Sequence, residues 1–293
     1  MNTHTHRTGT VRSGDVSLFY RRFGKPGATP ILITHGANYY DSQDWIDVAK
    51  ALSADREVVA YDTRGFGESS WSASKNYSQD AQIGDMVALV DHFGWNKVIA
   101  MGHSMGGGRV ILFGSRFPER VAGAVIVDHC PGHSASNAKA RVRSIDNPPL
   151  VFPTIEAAVA EMSRNPDTPK GSPARARLDM ILKPADGGLV FPRDPDYANP
   201  VPVGIEDWTP EIVPTDMWAE LAAIGCPIVI FRGTLSDRYS PEALARMKSE
   251  YPHIGVIDVA SGHDVAGGAP EQLIDGVKRF LAERIDAAAA MAP

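Results

Sequence analysis

The sequence predicts an α/β protein built on a doubly wound, mostly parallel sheet. Three observations carry that expectation. Short β-branched apolar runs recur along the chain, at ILIT (31–34), EVVAY (57–61), KVIAM (97–101), AVIVD (124–128), PIVIFR (227–232) and GVIDV (255–259). Their near-continuous hydrophobicity suits strands covered on both faces, as in a parallel sheet. Between them, 44–52, 79–93, 106–117, 241–250 and 270–284 carry apolar residues at helical spacing. The third observation is where this alternation stops, between about residues 131 and 225. Fourteen of the 22 prolines fall in 131–214, and no comparable strand-like run occurs there. A segment this long between two sheet strands reads as a helical cap over one sheet edge.

The elements follow in order. Residues 1–13 are polar and lack an apolar h-region, so they read as a solvated tail with no secretory signal; His4 and His6 within it read as solvated too. VSLFYRRFG (16–24) alternates weakly and is expected as an antiparallel edge. Pro241 and Pro270 stand at first helical positions, where the missing N–H is harmless. Within the cap, helices are expected over 154–164, 173–182 and 216–224, the last capped by Thr215. The expected division is a core of 1–132 and 225–293 and a cap of 133–224.

Composition limits the function. The 293 residues are 43% hydrophobic and 22% charged, enough for a large buried core. Lys+Arg is 29 against Asp+Glu 35, a formal charge of −6. That balance gives no electrostatic reason to bind nucleic acid or an anionic membrane. No apolar run approaches 18 residues. Cys130 and Cys226 match no metal or redox spacing and read as free thiols, which suits a cytoplasmic location. The expected partner is a small-molecule substrate, with no metal and no organic cofactor; neither an H-E-x-x-H nor a phosphate-binding loop is present.

The chemistry centres on residues 97–118, a strand, a sharp turn and a helix. Gly102-His103-Ser104-Met105-Gly106 satisfies G-x-S-x-G in the context that motif needs. With 27 glycines the bare pattern arises easily, so its placement is what carries meaning. A nucleophile on so tight a turn is strained, and its neighbours two residues away must be tiny. A serine also needs a base. His263, in ASGHDVAGG (260–268), follows the last strand. Asp237, in FRGTLSDRYSPE (231–242), follows the strand before it. Both project at the carboxyl ends of the strands, where open α/β sheets hold their sites. Asp128, at the end of AVIVD, competes for the role of acid, while His129 falls in the wrong chain order for the base. His35 and His103 are expected to hydrogen-bond structurally around the turn. The oxyanion donors are expected to be the backbone N–H groups of Met105 and Ala37, with Asn38 a further donor. Asn38 and Trp218 are the candidate pocket residues.

Together ILITHGAN, YDTRGFGES, GHSMGG, FRGTLSDRYSPE and SGHD resemble the α/β-hydrolase fold superfamily over roughly 14–132 and 225–285. The resemblance implies an eight-stranded, mostly parallel sheet with helices on both faces, and a cap inserted before the last two strands. It also implies a Ser–His–Asp mechanism, with Ser104 as nucleophile, His263 as base and Asp237 as acid. Arg64-Gly65-Phe66-Gly67 matches a structural turn of that family. Departures narrow the activity. Ser104 stands where haloalkane dehalogenases and epoxide hydrolases carry Asp. HGANYY lacks the proline of cofactor-free haloperoxidases and perhydrolases. His103 replaces the Asn common before the nucleophile in C–C hydrolases. The expectation is therefore a serine hydrolase of small, mostly neutral carboxylic esters or lactones. A C–C hydrolase of vinylogous diketones, or a triad-bearing receptor with negligible turnover, are the alternatives, separable by nitrophenyl-ester and diketone turnover. Oligomeric state is not legible.

Overall fold

The computed structural model describes residues 6–37, 41–132, 151–163, 173–198 and 215–287. Eight strands form one sheet: β1 (Arg7–Ser13), β2 (Val16–Phe23), β3 (Ala28–Thr34), β4 (Arg56–Tyr61), β5 (Val98–His103), β6 (Val121–Val127), and later β9 (Ile228–Gly233) and β10 (Gly255–Val259). Their spatial order is β1-β2-β4-β3-β5-β6-β9-β10. Every pairing is parallel except those of β2, which runs antiparallel to both β1 and β4.

Both faces of the sheet are buried, as the continuous apolar runs require. Leu32, Val59, Ala100, Ile126 and Ile230 point to one face; Ile31, Ile33, Val58, Val125 and Val229 point to the other. The first face is covered by α2 (Gln79–His92) and α3 (Met105–Arg116), which contribute Ile83, Met86, Val110 and Phe113. The second is covered by α1 (Ile46–Leu52) and, near the chain's end, a helix over Pro270–Phe280, which contribute Val48, Leu273 and Val277.

Between β6 and β9 lie α4 (Ile155–Ser163), α5 (Pro173–Ile181), the hairpin β7 (Lys183–Ala185) and β8 (Gly188–Val190), and α6 (Met217–Ala222). Phe152, Ala158, Val159, Leu178, Ile181 and Leu182 form a small separate core there. After β9 come α7 (Pro241–Glu250), α8 (Val265–Gly268) and α9 (Pro270–Phe280). Ser240 caps α7 by accepting from the Ala243 N–H at 3.1 Å.

Several local expectations change. The first residues are not all tail: Arg7–Ser13 pairs with β2 in unbroken register from Arg7↔Arg22 to Ser13↔Val16, and takes the sheet edge assigned to 16–24. Its side chains are mostly exposed, so the strand leaves almost no apolar alternation to read. His6 packs on Phe23 at 5.0 Å between ring centroids. The β7–β8 hairpin is too short and too exposed to read as strands. Asp216, not Thr215, caps α6, accepting from the N–H groups of Trp218 and Ala219. The α6 helix packs Trp218 and Leu221 into the main core beside α3.

Candidate active site

Ser104 is the single residue between β5 and α3, with φ 52° and ψ −117°. Backbone in this region costs on the order of 1–3 kcal/mol and persists only where the surroundings enforce it. The enforcement is visible. Ser104 N–H donates to Val127 O at 2.9 Å, and Ser104 O accepts from Gly108 N–H at 3.2 Å. A Cβ on Gly106 would lie 2.5 Å from Thr34 O and 2.6 Å from His35 O; one on Gly102 would lie 2.3 Å from Gly106 O. Only glycine at both places lets the helix start so close to β5 and to the exit of β3.

His263 lies between β10 and α8. Its Nε2 accepts from Ser104 Oγ at 2.9 Å. Its Nδ1 donates to Asp128 Oδ2 at 2.7 Å. The carboxylate on His263 is therefore Asp128 and not the expected Asp237, whose side chain is 90% exposed and pairs with Arg238 at 3.6 Å. The reason is register. His103, Val127 and Phe231 align across β5, β6 and β9. The next residues on the first two of those strands, Ser104 and Asp128, therefore emerge side by side at the carboxyl edge.

Asp128 is fully buried. Its N–H donates to Phe231 O at 2.8 Å. Its Oδ1 accepts from Gly233 N–H at 3.0 Å, and its Oδ2 accepts from Ser236 Oγ at 2.5 Å as well as from His263. Its φ of 48° turns the carboxylate back along the edge. A buried carboxylate with three donors satisfies the demand that buried charge be hydrogen-bonded.

The neighbouring histidines hold the frame. His103 Nε2 donates to His263 O at 2.8 Å, with ring centroids 4.7 Å apart. Burial first, and the nearby His263 second, hold the His103 imidazole well below its ordinary range, so it is a neutral ring donor. His35 Nε2 accepts from Thr63 N–H at 2.9 Å, which leaves Nδ1 protonated and donating to Gly36 O at 2.6 Å. That contact pins the peptide plane whose other side is the Ala37 N–H. Met105 is the first residue of α3, where amides lack an intrahelical acceptor. The Gly106 contacts set this turn against the β3 exit that carries Ala37. Asn38 lies outside the described residues. The His129 carbonyl accepts from Tyr239 Oη at 2.6 Å, and its ring covers Gly107 and Gly108.

Trp218, expected to line the pocket, meets Gly132 with its indole edge. It packs in the main core, stacked on Tyr251 at 5.3 Å with the Arg246 guanidinium 4.5 Å from its ring centroid. Among the described residues of the inserted segment, Tyr197 reaches the turn: its hydroxyl donates to Met105 Sδ at 2.7 Å while its ring meets Phe66 edge-on at 4.5 Å. Residues 192–194 are tied down beside it: Gly67 N–H donates to Pro192 O at 2.7 Å, and Asp194 N–H to Gly65 O at 2.8 Å. Arg64, expected as structural, forms a two-point pair with buried Asp85 at 2.7 Å. Sequence reading missed Tyr197 and Ser236. The first sits in a segment without periodicity, and the second is one residue from the acid that chain order favoured. Among the described residues no cluster of three or more His, Cys, Asp or Glu is arranged to hold a metal, and no helix is long and apolar enough to cross a membrane.

The α/β hydrolase fold family matches residues 29–266, and the chain belongs to that family. It is 28% identical over 271 residues to a 3-hydroxybutyrate-oligomer hydrolase of Cupriavidus necator, covering 87% of this chain and 90% of that one. It is 32% identical over 126 residues to a bifunctional esterase/perhydrolase of Acinetobacter calcoaceticus, covering 42% and 44%. The solved structure of an α/β hydrolase from Novosphingobium aromaticivorans superposes with a TM-score of 0.76 at 25% identity, covering 94% of this chain and 98% of that one. Family membership and such relatives support a hydrolase.

Proposed function

We propose that this protein is a serine hydrolase of small, mostly neutral carboxylic esters or lactones, working through Ser104, His263 and Asp128. The observation that carries the reading is the continuous relay Asp128–His263–Ser104, at 2.7 and 2.9 Å, ending on a hydroxyl held in a strained strand-to-helix turn. In the first half-reaction Ser104 Oγ attacks the carbonyl carbon and passes its proton to His263 Nε2. Asp128 holds the Nδ1 tautomer and stabilises the imidazolium. The N–H groups of Met105 and Ala37 take the oxyanion. His263 then protonates the departing alkoxide, leaving an acyl-enzyme on Ser104. Water, deprotonated by the same imidazole, releases the acid; in a lactone the departing alcohol stays tethered to the acyl group.

The cap over 133–224 is part of this reading, as the wall that shapes the pocket. Support comes from Tyr197, which brings that segment to Met105 beside the nucleophile. A cytoplasmic location is supported by the free thiols Cys130 and Cys226. The relatives named for ester or oligomer hydrolysis support the ester class. The test is a fluorophosphonate probe together with a panel of esters, lactones and diketones. Single labelling that disappears in Ser104→Ala, with turnover of esters or lactones, supports the proposal. Labelling that persists in Ser104→Ala, or turnover confined to diketones, refutes it.

A further inference from the structure

The loop after β9 holds a group that the relay itself does not require. Ser236 Oγ donates to Asp128 Oδ2 at 2.5 Å, the same oxygen that takes the His263 Nδ1–H. The Ser236 hydroxyl also accepts from the Arg238 N–H at 3.3 Å, so its proton is left to the carboxylate. The backbone sets this approach. Ser236 N–H donates to Gly233 O at 3.1 Å, and Leu235 N–H to Ser261 O at 3.0 Å, binding the loop to the one that carries His263. A Cβ on Gly233 would lie 2.3 Å from Gly262 O, so the two loops are in contact. The loop that chain order marks as the source of the acid thus sends a serine to the carboxylate, while its Asp237 points to solvent.

We infer that Ser236 is a positioning residue for the Asp128–His263 pair. The inference rests on the Ser104–His263–Asp128 reading. Asp128 turns about its Cα–Cβ and Cβ–Cγ bonds and lies at a positive φ; Gly233 N–H fixes one oxygen and Ser236 the other, so the carboxylate plane is set before His263 charges. Removing the hydroxyl leaves Oδ2 held by His263 alone, and the imidazole is then less well aimed in the transition state. Glycine suits position 128 because it adopts a φ of 48° without strain.

The experiment measures kcat and KM on a nitrophenyl ester, with thermal melting to confirm folding. The variants are Ser236→Ala, Ser236→Thr and Asp128→Gly. Ser236→Ala is expected to lower kcat about ten-fold with KM unchanged, as the loss of one hydrogen bond to a charged group implies. Ser236→Thr, which keeps the hydroxyl, recovers it. Asp128→Gly is expected to lose about 10⁴ in kcat. Wild-type kcat in Ser236→Ala overturns the inference. Formate added to Asp128→Gly, with and without the Ser236 hydroxyl, gives a second readout. Rescue that is stronger with Ser236 present than in Asp128→Gly/Ser236→Ala supports the inference, and equal rescue overturns it. Wild-type turnover in Asp128→Gly instead refutes the relay itself, and the inference with it. Collapse in Asp128→Gly with silent Ser236 variants refutes the inference alone.

Discussion

Replacing Asp128 with Asn should do more than remove a charge, because the surroundings dictate which way the amide faces. Gly233 N–H points at Oδ1 and is a backbone donor that cannot turn away. An amide NH₂ placed there would set donor against donor in a buried site, a penalty of about 1–3 kcal/mol. The Asn oxygen is therefore held on the Gly233 side, and the NH₂ takes the Oδ2 position facing His263 Nδ1. Ser236 accommodates this by accepting instead of donating. The imidazole then has to accept at Nδ1 and carry its proton on Nε2, where it cannot take the proton of Ser104. A wrong-tautomer lesion of this kind costs about 10⁴ in kcat. At 1.36 kcal/mol per decade that is about 5.4 kcal/mol of transition-state stabilisation. Asp237→Asn changes a side chain that is 90% exposed and should leave kcat at the wild-type value. The assay is kcat for both variants across pH, with circular dichroism to confirm folding. A mild Asp128→Asn together with a crippled Asp237→Asn would refute the reasoning.

Three further outcomes are expected. Gly106→Ala sets a Cβ 2.5–2.6 Å from two backbone carbonyl oxygens, so it should destabilise the fold by about 1–3 kcal/mol and misplace Ser104; a wild-type melting temperature with full probe labelling would contradict this. Tyr197→Ala removes the side chain that meets Met105 and should change KM and the ranking of a chain-length series while Ser104 still labels, whereas an unchanged ranking would remove Tyr197 from the pocket wall. His103 is held neutral by burial, with a folded pKa well below its ordinary value of about 6.5, so its contribution is intact above that pH and stability falls as pH drops below it. One proton taken up on unfolding gives a slope of up to about 1.4 kcal/mol per pH unit, and His103→Gln should flatten the dependence between about pH 6.5 and 5 in chemical denaturation.

The sequence by itself determined whatever is written in local periodicity. Continuous β-branched runs such as ILIT and PIVIFR mark strands buried on both faces, and the structure buries Ile31, Leu32, Ile33 and Ile230 completely. The G-x-S-x-G turn is legible because the steric demand at Gly102 and Gly106 lies within a few residues of Ser104. Chain order led to His263 because its loop directly follows the last strand. Where long-range pairing decides, the sequence is silent. Arg7–Ser13 becomes a strand only because β2 offers it an unpaired edge. Trp218 looked like a pocket aromatic until α6 packed it on Tyr251. Tyr197 has no pattern to announce it, because its contact with Met105 joins residues 92 positions apart. The choice of acid is the clearest case. Asp128 and Asp237 have the same chemistry, and both follow a strand. Only the lateral register of β5, β6 and β9, together with the turn that aims Ser236 inward and Asp237 outward, brings Asp128 to the imidazole. Register is a relation between strands distant in sequence, so it exists only once the sheet has formed.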